Sequence, residues 1–342
     1  MNDELRAAVT LHDVAREAGV SLATASRSLN GSTRKVAEEY RQKVLEAAAR
    51  LNYTPNLSAQ AVARGSTMTV ALLVADISDP YFSSIAAGVA READTEGLIV
   101  TIAMTERDSA RELELVRTMR GQRPKVMILA SSRRTSDPLA DALVAELKAF
   151  ESNGGRVVLI STNELPFRTV LLANTEGASE LAGELVGIGY RRFAVITGSG
   201  ELRTASDRLL GFRQGLATAG GTLADENVVE AAFTRDGGYE GMTQLISRGI
   251  HDIDCVFAVN DVMAIGALSA LRDAGFEPGV DIGVAGFDDI STARDVSPAL
   301  TTVAIPLVEL GRRALRKAIG DGEDDSPVLT HAVVRDSTPS HL

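Results

Sequence analysis

Apolar residues recur with helical spacing through the first 66 positions. In "LHDVAREAGV", Leu11, Val14, Ala15 and Ala18 share one face, and Gly19 supplies a stop. Ser21 is placed to cap a second helix that runs through Ala25 to Leu29, with Asn30-Gly31 at its end. So short a link predicts a helix-turn-helix, with small Ala15 at the close approach and Gly19 free to take positive φ. A third helix over "AEEYRQKVLEAAARLNY" offers Val44, Leu45, Ala48 and Leu51 to a small core. The second helix would then bury Val20, Ala25 and Leu29 and turn Leu22, Ala23, Ser26 and Arg27 outward. A small-residue face with one arginine suits a helix sunk in a DNA major groove, where the guanidinium pairs with a guanine edge or a phosphate. A helical hairpin on a protein surface is the plainer alternative. In "TPNLSAQAVARGST", residues 54–67, Pro55 blocks the third helix and Asn56 can cap a short segment lined by Leu57, Ala61 and Val62. That segment is too short to hold a helix unaided, so it is a linker or a piece that folds on its target.

From residue 68 the pattern changes to short Val/Ile/Leu-rich runs: "TVALLVA", "LIVTIAM", "KVMILA", "RVVLIS", "RFAVITG", "VVEAAF", "DCVFAVN" and "DIGVAGF". All but the last are followed by helical stretches, among them 80–96, 108–120, 175–188, 203–219, 236–249 and 260–274. This predicts an α/β class with parallel sheets covered on both faces, too many strands for one sheet, and hence two doubly wound subdomains with a ligand cleft at the strand C-terminal ends. "LTTVAIPLVELGRRALRKAIG" and "LTHAVVRDST" add a late strand, a helix and a last strand, placed to cross back between the lobes.

Composition narrows the class. The 342 residues suffice for two or three domains. No apolar run reaches the about 18 residues of a membrane span, and "MNDELRAAVT" is unlike a secretory signal. The single Cys255 leaves no internal disulfide framework and fits a reducing cytoplasm. Net charge is −11, with +2 in residues 1–66 and −13 in the remainder, so only the N-terminal end is suited to a polyanion. The histidines, His12, His251, His331 and His341, show no metal spacing, and no Walker loop or nucleophile elbow is present. "TGSG" at 197–200 reads as a tight βα turn rather than a phosphate cradle. No catalytic residue, metal or cofactor is expected.

Six motifs in order carry a resemblance along nearly the whole chain: "VTLHDVAREAGVSLATASRSLNG" (9–31), "VLEAAARLNYTPN" (44–56), "VADISDPYF" (74–82), "DRLLGF" (207–212), "AVNDVMAIGAL" (258–268) and "VAGFDDI…SPALTTV" (284–303). The sequence resembles the LacI/GalR family of bacterial transcription regulators. The resemblance implies a DNA-binding headpiece over 1–55, a hinge helix and linker over 56–66, and a core similar to periplasmic sugar-binding proteins. Its subdomains are expected over 67–162 with 291–322, and 163–290 with 323–342. It also implies a cytoplasmic homodimer on a pseudo-palindromic operator, with repression the expected outcome, controlled by a small-molecule effector: a sugar, a sugar derivative or a nucleoside or nucleobase. The competing class is a periplasmic-type binding protein that never meets DNA.

Carried over residue by residue, the resemblance assigns phosphate contacts to Thr10, Ser21 and Asn30, base reading to Leu22, Ala23, Ser26 and Arg27, backbone contacts to Tyr53 and Asn56, and hinge contacts to Ala59 and Gln60. Val62 stands where the family usually has a leucine wedge, and Ala37 where a serine often caps the third helix, a loss of about 1 kcal/mol. In the core, Asp79, Tyr81, Phe82, Ser161, Arg208, Phe233, Asn260 and Asp288 are the expected effector contacts. Asp79 replaces a common asparagine. Ser161-Thr162 replaces the Asp-Arg of many sugar-responsive members, and Leu202-Arg203 lie where the purine-responsive member has an arginine.

Overall fold

The computed structural model describes residues 9–30, 36–54, 66–162, 165–320 and 325–341. The chain divides into two units, Met1–Thr67 and Met68–Leu342.

The first unit holds α1 (Leu11–Glu17), α2 (Leu22–Asn30) and α3 (Glu38–Arg50). Thr10 caps α1 in a reciprocal box: its side chain accepts from Asp13 N–H, and the Asp13 carboxylate accepts from Thr10 N–H at 3.0 Å. Gly19, at φ +64°, makes the turn, and Ser21 Oγ accepts from Thr24 N–H at 3.1 Å to start α2. Val14, Ala15, Ala25, Val44, Ala47 and Ala48 form the core, with Leu11, Val20, Leu29, Leu51 and Tyr53 packed around it. Leu45 does not join it. It is 40% exposed because one residue beyond Val44 lies about 100° around α3. Ala37 leaves α3 without a side-chain cap.

The second unit contains two parallel sheets. The first has the order β2-β1-β3-β4-β5, from β1 (Thr69–Val74), β2 (Ile99–Met104), β3 (Val126–Ala130), β4 (Arg156–Ser161) and β5 (Arg168–Leu171). The second has the order β7-β6-β8-β9, from β6 (Arg192–Thr197), β7 (Thr222–Glu230), β8 (Cys255–Ala258) and β9 (Gly283–Ala285). Between the strands run α4 (Pro80–Thr95), α5 (Ser109–Gly121), α6 (Ala140–Ser152), α7 (Asn174–Gly187), α8 (Arg203–Ala219), α9 (Arg235–Arg248) and α10 (Asp261–Asp273). A short antiparallel pair, β10 (Thr302–Ala304) and β11 (His331–Val333), and α11 (Leu307–Ile319) complete the fold.

Two expectations shift. Only the first half of "VVEAAF", Val228–Glu230, is strand, the tail of a longer one that starts at Thr222; Thr234 already caps α9, so Phe233 sits in the turn. The first sheet also extends past the 162/163 boundary, because Arg168–Leu171 pairs in parallel with β4. Central strands such as β3 and β8 are buried throughout, as covered parallel sheets require. Three helix pairs approach backbone to backbone at glycines. A Cβ at Gly88 or Gly311 would overlap a carbonyl across the α4–α11 crossing, one at Gly211 or Gly215 would do so across α7–α8, and one at Gly238 or Gly266 across α9–α10.

Candidate functional site

The exposed face of α2 carries Leu22, Ala23 and Arg27, with Ser26 half-buried beside them. Its first turn holds no acidic residue. The hydroxyls of Thr10 and Ser21 serve as helix caps, which set the free backbone N–H groups of α1 and α2 at the two helix starts. Tyr53 is half-buried against the small core. The side chain of Asn30, and Asn56, Ala59, Gln60 and Val62 entire, lie outside the described residues.

In the larger unit, all eight expected core residues line one cleft. Asp79 caps α4 by accepting from Tyr81 N–H at 3.0 Å, and Pro80 at the first turn fixes the entry of the chain. Tyr81 and Phe82 follow, their rings edge-on at 4.9 Å. From the second sheet come Asn260, which caps α10 by accepting from Met263 N–H at 2.8 Å, and Phe233 at the start of α9. Arg208, 1% exposed, is held on three sides. It donates to Asn174 Oδ1 at 3.0 Å and to the Val259 carbonyl at 2.8 Å, pairs with Asp288 at 2.8 Å, and lies 3.9 Å from the Phe287 ring centre. The paired oxygen, Asp288 Oδ1, sits off the line of the guanidinium N–H and has no well-directed hydrogen bond. Asp288 and Asp289 both take positive φ, +121° and +51°, which turns the loop sharply into the cleft. Asp261 clasps that loop: its carboxylate accepts from Ile290 N–H at 2.9 Å and from Thr302 Oγ1 at 2.5 Å.

Burial dominates the electrostatics. It raises the Asp288 carboxyl well above the ordinary range, against the pull of Arg208 and with added repulsion from Asp261 and Asp79. It also raises Asp79 and the Tyr81 phenol, and pushes Asp261 up to about 7.

Sequence reading missed five polar wall residues, Arg107, Ser131, Ser132, Asn174 and Thr204, and three apolar ones, Ala130, Ile160 and Leu172. Arg107 matters most. It follows β2, and it and Glu106 take positive φ. Its guanidinium lies 3.9 Å from Asp79, 6.0 Å from the Phe82 ring centre and 5.7 Å from that of Phe233, between the two aromatic walls. Burial lowers its pKa. Its place just after a strand C-terminal end was the available signal, the same one that marked Tyr81. Among the described residues no group of three or more His, Cys, Asp or Glu is placed to hold a metal.

Residues 10–56 match the family described as bacterial regulatory proteins, lacI family, and residues 182–338 match the periplasmic binding protein-like domain. The HTH-type transcriptional regulator DegA of Bacillus subtilis is 30% identical over 311 residues, covering 90% of each chain. The regulator CelR of Thermobifida fusca is 32% identical over 98% of this chain and 99% of its own. The chain belongs to the LacI family. Like those relatives, it is a helix-turn-helix transcriptional regulator with a periplasmic-binding-protein-like core. The structure of the lac repressor dimer bound to operator and the anti-inducer ONPF superposes with a TM-score of 0.83 at 26% identity, covering 97% of this LacI-family chain and all of the other. A CelR–cellobiose complex superposes at 0.68 with 30% identity, over 96% of this chain and 99% of that one.

Proposed function

We propose that this regulator binds a pseudo-palindromic operator as a homodimer, through Leu22, Ala23, Ser26 and Arg27 on α2, and represses under the control of a small effector that binds in the core cleft. Thr10, Ser21 and Asn30 hold phosphates and Tyr53 and Asn56 contact the DNA backbone, while Ala59, Gln60 and Val62 act at the hinge. The observation that carries the effector reading is the convergence of Asp79, Tyr81, Phe82, Ser161, Arg208, Phe233, Asn260 and Asp288 on one cleft. Two aromatic rings face an apolar surface, and a few polar groups fix orientation. Each arginine of the cleft already has a carboxyl partner within the chain, Arg107 with Asp79 and Arg208 with Asp288, so a neutral polar ring, a sugar or nucleoside, fits best.

The homodimer is supported by the edge of the first sheet. β2, the edge strand of this sheet, leaves Ile99, Ile102 and Met104 exposed, a surface that a second copy would cover. A regulator that reads operator DNA works in the cytoplasm, and no helix among the described residues is long and apolar enough to cross a membrane. A thermal-shift screen of sugars and nucleosides on the full chain, followed by anisotropy on operator DNA with each hit, tests this reading. A hit that shifts melting and operator affinity is expected. Screening without any shift, or hits that leave DNA binding unchanged, would overturn it.

A further inference from the structure

Two segments from opposite lobes meet across one side of the cleft. Residues 131–135 leave β3, and residues 198–202, which contain most of the "TGSG" turn, join β6 to α8. Arg203 N–H donates to the Arg133 carbonyl at 2.9 Å, and Thr135 N–H donates to the Glu201 carbonyl at 2.8 Å. These form an antiparallel bridge centred on Arg134 and Leu202. The Arg134 guanidinium pairs with the Glu201 carboxylate, and Thr204 N–H donates to Ser132 Oγ at 3.3 Å. Ser132 and Thr204 also line the cleft, so the strip is one of its walls.

Both halves are braced from behind. Buried Glu112 on α5 takes a fork from Arg133, at 2.5 and 3.2 Å, and a hydrogen bond from Ser131 at 2.9 Å. Across the gap, Leu202 N–H donates to the Ser199 carbonyl at 2.8 Å, and Ser206 Oγ to the Gly200 carbonyl at 2.8 Å. No chain crossing joins the lobes at this strip, which is held by noncovalent bonds alone. The two braced edges are thus joined to each other only by a few hydrogen bonds and one half-exposed ion pair.

We propose that this strip is a latch: it closes the mouth of the cleft, and a small molecule enters or leaves only when the Arg133–Thr135 and Glu201–Thr204 edges part. Its bearing on effector exchange rests on the effector reading of the cleft; the closure itself does not. Each bond lost from the strip raises the fraction of time the mouth is open. The ion pair contributes a part that salt screens, and the backbone bonds contribute a part that salt leaves alone.

The test needs no effector. A Ser161→Cys thiol in the full chain lies in the cleft, and the native Cys255 is buried and serves as the silent control. Its reaction with the disulfide reagent DTNB reports access to the cleft. Thr135→Pro deletes one donor from the strip and Glu201→Ala deletes the ion pair; each is expected to speed the reaction by about threefold to tenfold. Added salt is expected to speed it in the parent and not in Glu201→Ala. Equal rates in all three chains overturn the latch. Hydrogen exchange on the unsubstituted chain is the second measurement: protected amides at Thr135 and Arg203 support the strip, and free-peptide rates there overturn it. Gated labelling in a chain that no sugar or nucleoside stabilises would uphold the latch while refuting the effector reading.

Discussion

Arg208→Met should be among the most damaging single changes in the core, and its damage should depend on pH. Methionine keeps much of the volume and removes the charge. The guanidinium loses its bonds to Asn174 and Val259 and its pairing with Asp288, and the Asp288 carboxylate stays buried without a counter-ion. Breaking one partner out of a buried ion pair costs about 3–5 kcal/mol, and this cost already contains the lost hydrogen bonds, so the terms are not to be added. Asp288→Asn leaves Arg208 bonded to Asn174 and Val259 and removes a carboxylate that burial already disfavours, so its cost should be nearer 1–2 kcal/mol. The Asp288 pKa is raised in the folded state. Protonation therefore favours folding: the associated stability is full below the ordinary carboxylate range and is lost as pH rises through the raised value. Removing Arg208 raises that value further. Urea unfolding of the full chain should thus show Arg208→Met losing most at pH 8 and recovering part of the loss at pH 5, while Asp288→Asn changes little between them. Adding Asp288→Asn to Arg208→Met should restore stability at pH 8. Equal losses for the two single variants, with no pH dependence, would refute the idea that the pair is held in a desolvated site.

Arg27→Ala should weaken operator binding by about 1–3 kcal/mol and relax base preference in an anisotropy titration; equal losses on operator and random DNA would mark a phosphate contact instead. Asp261→Asn should flatten the dependence of stability on pH between about 4 and 7, where the folded chain holds a proton at Asp261 that the unfolded chain has released, a slope of up to about 1.4 kcal/mol per pH unit; unchanged slopes in urea titrations would show the carboxyl to be ionised throughout. Gly266→Ala would drive a methyl into the Arg235 carbonyl and should cost more than the about 1–3 kcal/mol of ordinary overpacking by thermal melting, whereas the same change at Gly183, which has open space around it, should be neutral or better. Ile102→Glu on β2 should convert the dimer to a monomer in sedimentation and reduce operator affinity with it; an unaltered dimer would place the interface elsewhere.

Local spacing by itself determined the helix-turn-helix, the alternation of strands and helices, and the outward face of Leu22, Ala23 and Arg27. Periodicity records which side of an element meets the core, and the turn chemistry of Gly19 and Ser21 marks where elements break. The family resemblance also named eight residues that the fold gathers into one cleft. Leu45 shows where this record blurs: one position along α3 separates a core residue from a solvated one. The four-residue strand Arg168–Leu171 is too short to stand out from a loop, and only its pairing with β4 makes it a strand.

Other features belong to the tertiary structure alone. Arg107 faces Phe233 across 126 positions because the order of the two sheets brings their strand ends together, and nothing local to either residue encodes that meeting. The commitment of Arg208 to Asn174, Val259 and Asp288 draws on four separate elements. The strip between Arg133–Thr135 and Glu201–Thr204 joins backbone groups, whose pairing any side-chain sequence could disguise. Sequence sets which faces must be buried. Only the packed sheets decide which loops meet over the space between them, because that contact is made by chain segments whose neighbours along the sequence never touch each other.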